Sequence, residues 1–233
     1  MASEYVKGLG NVHTFEKPFD EALFLLNQNK AKLMSSRDLA YGRRITGQDS
    51  NLSQNSSYTR ESPTYSKDVG LLVLNSPLQN IELAKQAVQA NKAGNYFQLK
   101  NDELFKRYLN QAEEDLKKVP EKRKVLILPS DGVFDISRTQ NFDFARGLFK
   151  DQAELYLRFL EDSKYKINSI KFYPVSKDIV NQLEKPILTE MWLCRLGVDV
   201  RSDLNGCDRS LSRIDRVHGV ESLRSRVATE PKK

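Results

Sequence analysis

Asp102-Glu-Leu-Phe-Lys-Arg-Tyr-Leu-Asn-Gln-Ala-Glu-Glu-Asp-Leu-Lys-Lys-Val-Pro120 carries an unbroken helical seam. Phe105, Tyr108, Leu109, Ala112, Leu116 and Val119 recur at the 3.6-residue period, Lys106, Arg107, Glu113, Glu114 and Lys117 fall on the opposite face, and Pro120 stops the run. Upstream, Ser76 offers an N-cap with Pro77 at the first helical position. Ile81, Ala84 and Val88 line one face, and Gly94 stands where a C-terminal cap belongs. The two segments predict a helical hairpin, led into by a short strand over 69–74. Its length and terminal proline would suit one unit of a helical repeat, but no second unit follows, and such units need stacked neighbours.

Beyond a basic junction of Lys118, Lys122, Arg123 and Lys124 the pattern turns to strand-helix alternation. Residues 125–128 read as a buried strand, 142–160 as a helix with Phe144, Leu148, Leu155 and Phe159 on its stripe, and 167–175 as a second strand. Ser176 then caps a helix that Pro186 kinks before it resumes through Leu188, Met191, Trp192 and Leu196 to Gly197. The expected fold is α+β: a helical hairpin followed by a small strand-helix-strand-helix unit, together a compact body over 69–197. Residues 1–68 are expected to form an N-terminal helix (19–34) and an extended arm, because 35–68 shows neither period and is rich in Ser, Asn, Gln and Thr. Residues 198–233 are expected to form an Arg-rich C-terminal arm with one short amphipathic helix over 208–218, through Leu211, Ile214 and Val217.

The 233 residues include 39% hydrophobic ones, enough to bury a core, while 11 Gly, 8 Pro and 2 Cys exclude collagen-like and disulfide-scaffold classes. No apolar run approaches the ~18 residues of a membrane span, and the first residues lack a secretory h-region. The expected location is intracellular and soluble, or within a particle assembled in the cytoplasm, with no membrane partner. The net charge of +6 is modest for this length, with 37 basic residues against 31 acidic ones.

Lys124-Val-Leu-Ile-Leu-Pro-Ser-Asp-Gly-Val-Phe-Asp-Ile-Ser137 resembles the opening motif of the haloacid-dehalogenase phosphatases over about a dozen residues. Pro129 stands where that family places its nucleophilic aspartate, and only the second aspartate, Asp131, is present. Phosphoryl transfer by that route is therefore excluded, and Asp131-Gly132 reads as a turn leaving a strand. His13 and His218 are the only histidines, and Cys194 and Cys207 lie too far apart in sequence for a zinc pair, so no metal and no cofactor is expected. Cys194 reads as a buried small hydrophobe on its helix. Neither a P-loop nor a dinucleotide fingerprint occurs.

The expected function is non-enzymatic: a structural or assembly subunit of a large multi-subunit particle, tying neighbouring protein subunits together through its extended arms. Tyr and Arg are enriched where proteins meet, which makes Tyr41, Arg43, Arg44, Tyr58, Arg60, Tyr65, Arg209, Arg213 and Arg216 the candidate partner-binding residues. The alternative partner is nucleic acid, its phosphates gripped by the basic junction and the arginine tail.

Overall fold

The computed structural model describes residues 2–129, 132–196, 203–206, 211–213 and 215–221. It opens on a hairpin of β1 (Ala2–Val6) and β2 (Gly10–Lys17), followed by α1 (Phe19–Gln28), β3 (Ala31–Leu33), α2 (Ser36–Thr46), the one-turn α3 (Asn51–Gln54), β4 (Ser57–Tyr58), β5 (Ser62–Tyr65) and β6 (Gly70–Val73). Next come α4 (Ile81–Lys92), β7 (Phe97–Gln98), α5 (Glu103–Asp115), β8 (Val125–Ile127), β9 (Phe134–Ile136), α6 (Phe142–Phe149) and α7 (Ala153–Asp162). The last described elements are β10 (Ile170–Tyr173), α8 (Lys177–Asn181), β11 (Ile187–Leu188), β12 (Trp192–Leu193), β13 (Leu204–Asn205) and β14 (Asp215–Glu221).

Two sheets organise the molecule. The nine-stranded sheet runs β1-β2-β14-β4-β12-β13-β10-β9, with β3 paired to β14, and the five-stranded sheet runs β7-β11-β5-β6-β8. The expectation of a helical hairpin plus a small strand-helix unit, flanked by extended arms, is therefore corrected: this is a mixed α/β fold built on two sheets. The stretch expected to form the N-terminal arm supplies β4 and β5 to the sheets. The stretch expected to form the C-terminal arm supplies β14, which pairs antiparallel with β2 from Asp215↔Lys17 to Val220↔Val12. Strands from 1–68, 69–197 and 198–221 thus share one sheet.

Local chemistry accounts for these differences. Ser35 caps α2 through a capping box, its side chain accepting from Asp38 N–H at 3.2 Å while Ser35 N–H donates to Asp38 Oδ2 at 3.1 Å. Ser50 caps α3 more simply, its side chain accepting from Ser53 N–H. Asn80, four residues beyond Ser76, is the cap of α4, accepting from Glu82 and Leu83 N–H, and Ser76 caps only a preceding 3-10 turn. Gly94 ends that helix with φ 77°. The expected single helix over 142–160 breaks at Lys150, whose left-handed φ of 56° ends α6. The helix expected over 208–218 gives way over 215–221 to a strand, since Val217 and Val220 gain more from pairing inside a sheet than a marginal short helix could supply.

The interior falls into two apolar clusters. One gathers Leu72, Leu126, Ile136, Leu148, Phe149, Tyr156 and Phe172, and the other Phe19, Leu26, Tyr58, Leu71, Ala84, Phe105, Val125 and Val217. Neighbouring strand residues face opposite sides of a sheet, so Leu71 and Leu72, or Val125 and Leu126, divide between the clusters.

Candidate binding clefts beside the β5–β6 turn

The turn Ser66-Lys67-Asp68-Val69 joins β5 to β6 and closes on a Ser66 N–H to Val69 carbonyl bond of 3.0 Å. A hollow opens on either side of it. The first, about 330 Å³, is lined by Tyr65, Leu128, Pro129, Pro174, Val175 and Val180, with Lys67, Asp68 and Lys177 among its exposed charges. The second, about 310 Å³, is lined by Val69, Phe105, Leu109, Leu183 and Pro186, with Asp102, Lys106, Glu184 and Lys185 exposed beside them. Val69 is half-buried and common to both. The apolar residues sit in the concave part and charges of both signs stand around it, an arrangement that favours burial of an apolar group with a polar frame for orientation.

The groups with shifted protonation line neither cleft. Glu61 is fully buried, and burial pushes its carboxyl up to about 7 even though Thr59 and the backbone and hydroxyl of Ser36 donate to it. His218 is equally buried. Desolvation, with Arg43 and Arg216 adding to it, lowers its imidazole to about 3, and its Nδ1 lies 2.8 Å from Ser57 Oγ. That Ser-His contact lies inside the protein, out of a substrate's reach. Burial acts to raise the Asp115 carboxyl, but the Lys118 ammonium and the N–H groups of Lys124 and Val125 overcome it and hold the acid below its ordinary value. Lys150 is lowered by burial, opposed by the negative field of Glu61, Asp115 and Glu121.

Among the described residues no cluster of three or more His, Cys, Asp or Glu is gathered for a metal, and no helix is long and apolar enough to cross a membrane. No family profile and no curated protein matches the chain. A solved structure described by the words "Accommodation of massive sequence variation in Nanoarchaeota by the C-type lectin fold" superposes with a TM-score of 0.62. It does so at 18% identity, over 90% of this chain and 97% of that one.

The chain has a C-type lectin-like fold.

Within this C-type lectin-like scaffold the sequence-derived candidates occupy different settings. Arg43 is wholly buried, its guanidinium donating to the carbonyls of Leu52, Cys194, Asn55 and Leu193 and to Tyr156 Oη at 2.8–3.2 Å. It thereby ties α2 to the chain around β12. Tyr58 is buried between Phe19 and Trp192, its ring centroid 5.1 and 4.5 Å from theirs. Tyr65 is buried in the floor of the first cleft and donates to the Gly206 carbonyl. Arg44 stacks over Tyr41 at 5.6 Å and reaches Gln152, while Arg60 holds the Leu33 carbonyl and Asp38. Arg216 pairs with Glu16 across β14 and β2, and Arg213 is exposed. Arg209, Asp131 and Cys207 lie outside the described residues. Cys194, expected on a buried helix, sits instead in the chain just after β12 with intermediate exposure.

Among the described candidates only Tyr65 lines a cleft. The turn at 66–69 and the lining residues Pro174 and Lys177 carry no motif of a binding site. Ile127, Leu128, Pro129 and Gly132 belong to the strand-to-turn stretch singled out in the sequence, and they form a wall of the first cleft.

Proposed function

We propose that this protein is a non-enzymatic recognition subunit that engages another protein of a larger assembly through the clefts beside the β5–β6 turn. The observation that carries this reading is the make-up of those clefts: apolar residues within, charges of both signs around, and the shifted acids and bases elsewhere. Mixed charge suits a polypeptide better than a phosphate backbone, which calls for an excess of cations. Within the arginine tail, Arg216 is already paired with Glu16 of the neighbouring strand. The similar solved structure is described as a fold that accommodates massive sequence variation. A scaffold that accommodates sequence variation is suited to recognition. Binding by arms that wrap neighbours gives way here to docking on a preformed surface, which loses less chain entropy on association.

Selection of displayed random peptides against the folded chain tests this reading, with Val69→Glu placing a charge at the position both clefts share. Support would be enriched peptides whose affinity falls about tenfold or more in the variant. Absence of enrichment, or binding indifferent to Val69→Glu, would overturn it. Tight binding of an oligothymidylate that collapses with added salt would favour nucleic acid instead.

A further inference from the structure

Strand β8 forms one edge of the five-stranded sheet, and its ladder with β6 determines which of its groups point outward. Leu128 N–H donates to the Gly70 carbonyl at 2.9 Å and Leu74 N–H to the Lys124 carbonyl at 3.0 Å. Residues 124, 126 and 128 therefore face β6, and the main-chain groups of Val125 and Ile127 face away. Val125 N–H shows the direction, since it donates not to a strand but to Asp115 Oδ2, at 2.9 Å. Among the described residues, nothing meets Ile127 N–H or the carbonyls of Val125 and Ile127.

Natural sheet edges are usually covered or guarded by charge. This one runs along a hollow of about 180 Å³, walled by Ala112 of α5 and Leu116 just past its end on one side and by Asn141, Asp143 and Phe144 at the start of α6 on the other. Leu116 is 58% exposed, Val119 53% and Ile127 38%, so the walls and the edge offer apolar contact as well as hydrogen bonds. The charge beside it is lopsided. Lys122 and Lys124 are exposed in the segment leading into β8, whereas the acids nearest them are engaged, Asp115 with Lys118, and Glu121 and Asp143 with Arg146.

We propose that β8 accepts an extended acidic and apolar segment of another protein as a sixth strand of the sheet. Main-chain bonds to Ile127 and Val125 fix the segment, its apolar side chains enter the hollow beside Leu116 and Phe144, and its acids meet the basic junction. The proposal shares with the reading above a polypeptide partner, but it uses a surface that meets the first cleft at Ile127 and Pro129 alone among the described residues.

The test uses the full chain and a capped peptide of about six residues, the usual length of a strand, in which valine alternates with glutamate. Amide exchange at Ile127 is expected to be fast in the free protein and to slow about tenfold or more with peptide. Ile127→Pro, which removes an outward N–H that β6 does not use, is expected to keep the fold and lose affinity about tenfold, and lysine in place of glutamate to weaken the peptide as much. Slow exchange at Ile127 in the free chain, equal affinity of wild type and Ile127→Pro, or equal affinity of the lysine peptide would overturn the proposal. So would protection of Ile127 by oligothymidylate in place of the peptide. If Ile127→Pro fails to fold, exchange in the wild type decides alone. Displayed peptides that lose binding with Val69→Glu but not with Ile127→Pro would leave the cleft reading standing and remove this one.

Discussion

Replacing Glu61 by glutamine should change how the protein's stability depends on pH more than it changes the stability at any single acidic pH. The Glu61 carboxyl is buried at the start of α2, and burial raises it from 4.5 to about 7. Between these values the folded protein holds a proton that the unfolded chain has released. Its contribution is complete below pH 4.5 and is lost as pH rises through 7, in total about 3 kcal/mol at ~1.36 kcal/mol per unit. His218 acts with the opposite sign. Its imidazole falls from 6.5 to about 3, so its contribution is complete above pH 6.5 and is lost as pH falls toward 3. In the shared window from 4.5 to 6.5 the two slopes cancel, and the wild-type stability owes these groups little net dependence on pH. In the Glu61→Gln protein the new side chain would still accept from Ser36 N–H while its amide donates to Ser36 Oγ, and only the His218 slope would remain. Urea midpoints at constant m-value, taken at intervals from pH 5 to 8, should rise for Glu61→Gln up to about 6.5 and then level, ending as much as ~3 kcal/mol above wild type. Asp115 and Asp151, both held below their ordinary value near 3.8, contribute changes only at lower pH. Parallel curves for the two proteins would refute the argument.

Arg43→Met should cost roughly 3–5 kcal/mol in urea unfolding, because four carbonyls around β12 and α3 lose their donor inside the protein. Asp115→Asn should cost about 1.5–3 kcal/mol by weakening charge-assisted bonds to Lys124 and Val125 N–H, and it should speed amide exchange at those two positions. Gly147→Ala would place a Cβ 2.6 Å from Leu126 Cδ2, forcing α6 off the face of β8 at a cost of about 1–3 kcal/mol, readable as a lower melting temperature.

How far the sequence discloses this fold depends on where each element obtains its stability. Helix α5 is legible because its seam of Phe105, Leu109 and Ala112 alone places it against the core, and β6 and β8 are legible because they are short apolar runs bounded by polar turns. The stretch 35–68 conceals α2, β4 and β5 because its buried members are unusual ones. Arg43 is an interior residue by virtue of carbonyls from 52, 55, 193 and 194, and Glu61 by virtue of Ser36, Thr59 and the N-terminus of α2. A polarity pattern counts both as surface. The one local signal there is Ser35 with Asp38 three residues on, a capping box that marks the start of α2 without any apolar period.

The binding surfaces are hidden for a different reason. A cleft beside the β5–β6 turn requires Leu128, Pro174 and Val180 to converge, and their convergence follows from strand order, which no local period encodes. The edge of β8 is harder still, because an edge is defined by a strand that does not come next to it. Val125-Leu-Ile127 reads equally well as a central strand, and its apolar residues are consistent with cover on both faces, as α5 and α6 supply. What distinguishes an edge is the fate of its outward main-chain groups, and Asp115 taking Val125 N–H where a sixth strand would otherwise lie is the structural sign. That carboxylate satisfies the first donor of the edge and leaves Ile127 as the next. Strand addition at β8 should accordingly draw on the Ile127 N–H and the carbonyls of Val125 and Ile127, so that protection on binding appears at Ile127 while Val125 N–H, already bonded, stays unchanged. Equal new protection at both amides would mean that the added strand displaces Asp115 from Val125 N–H.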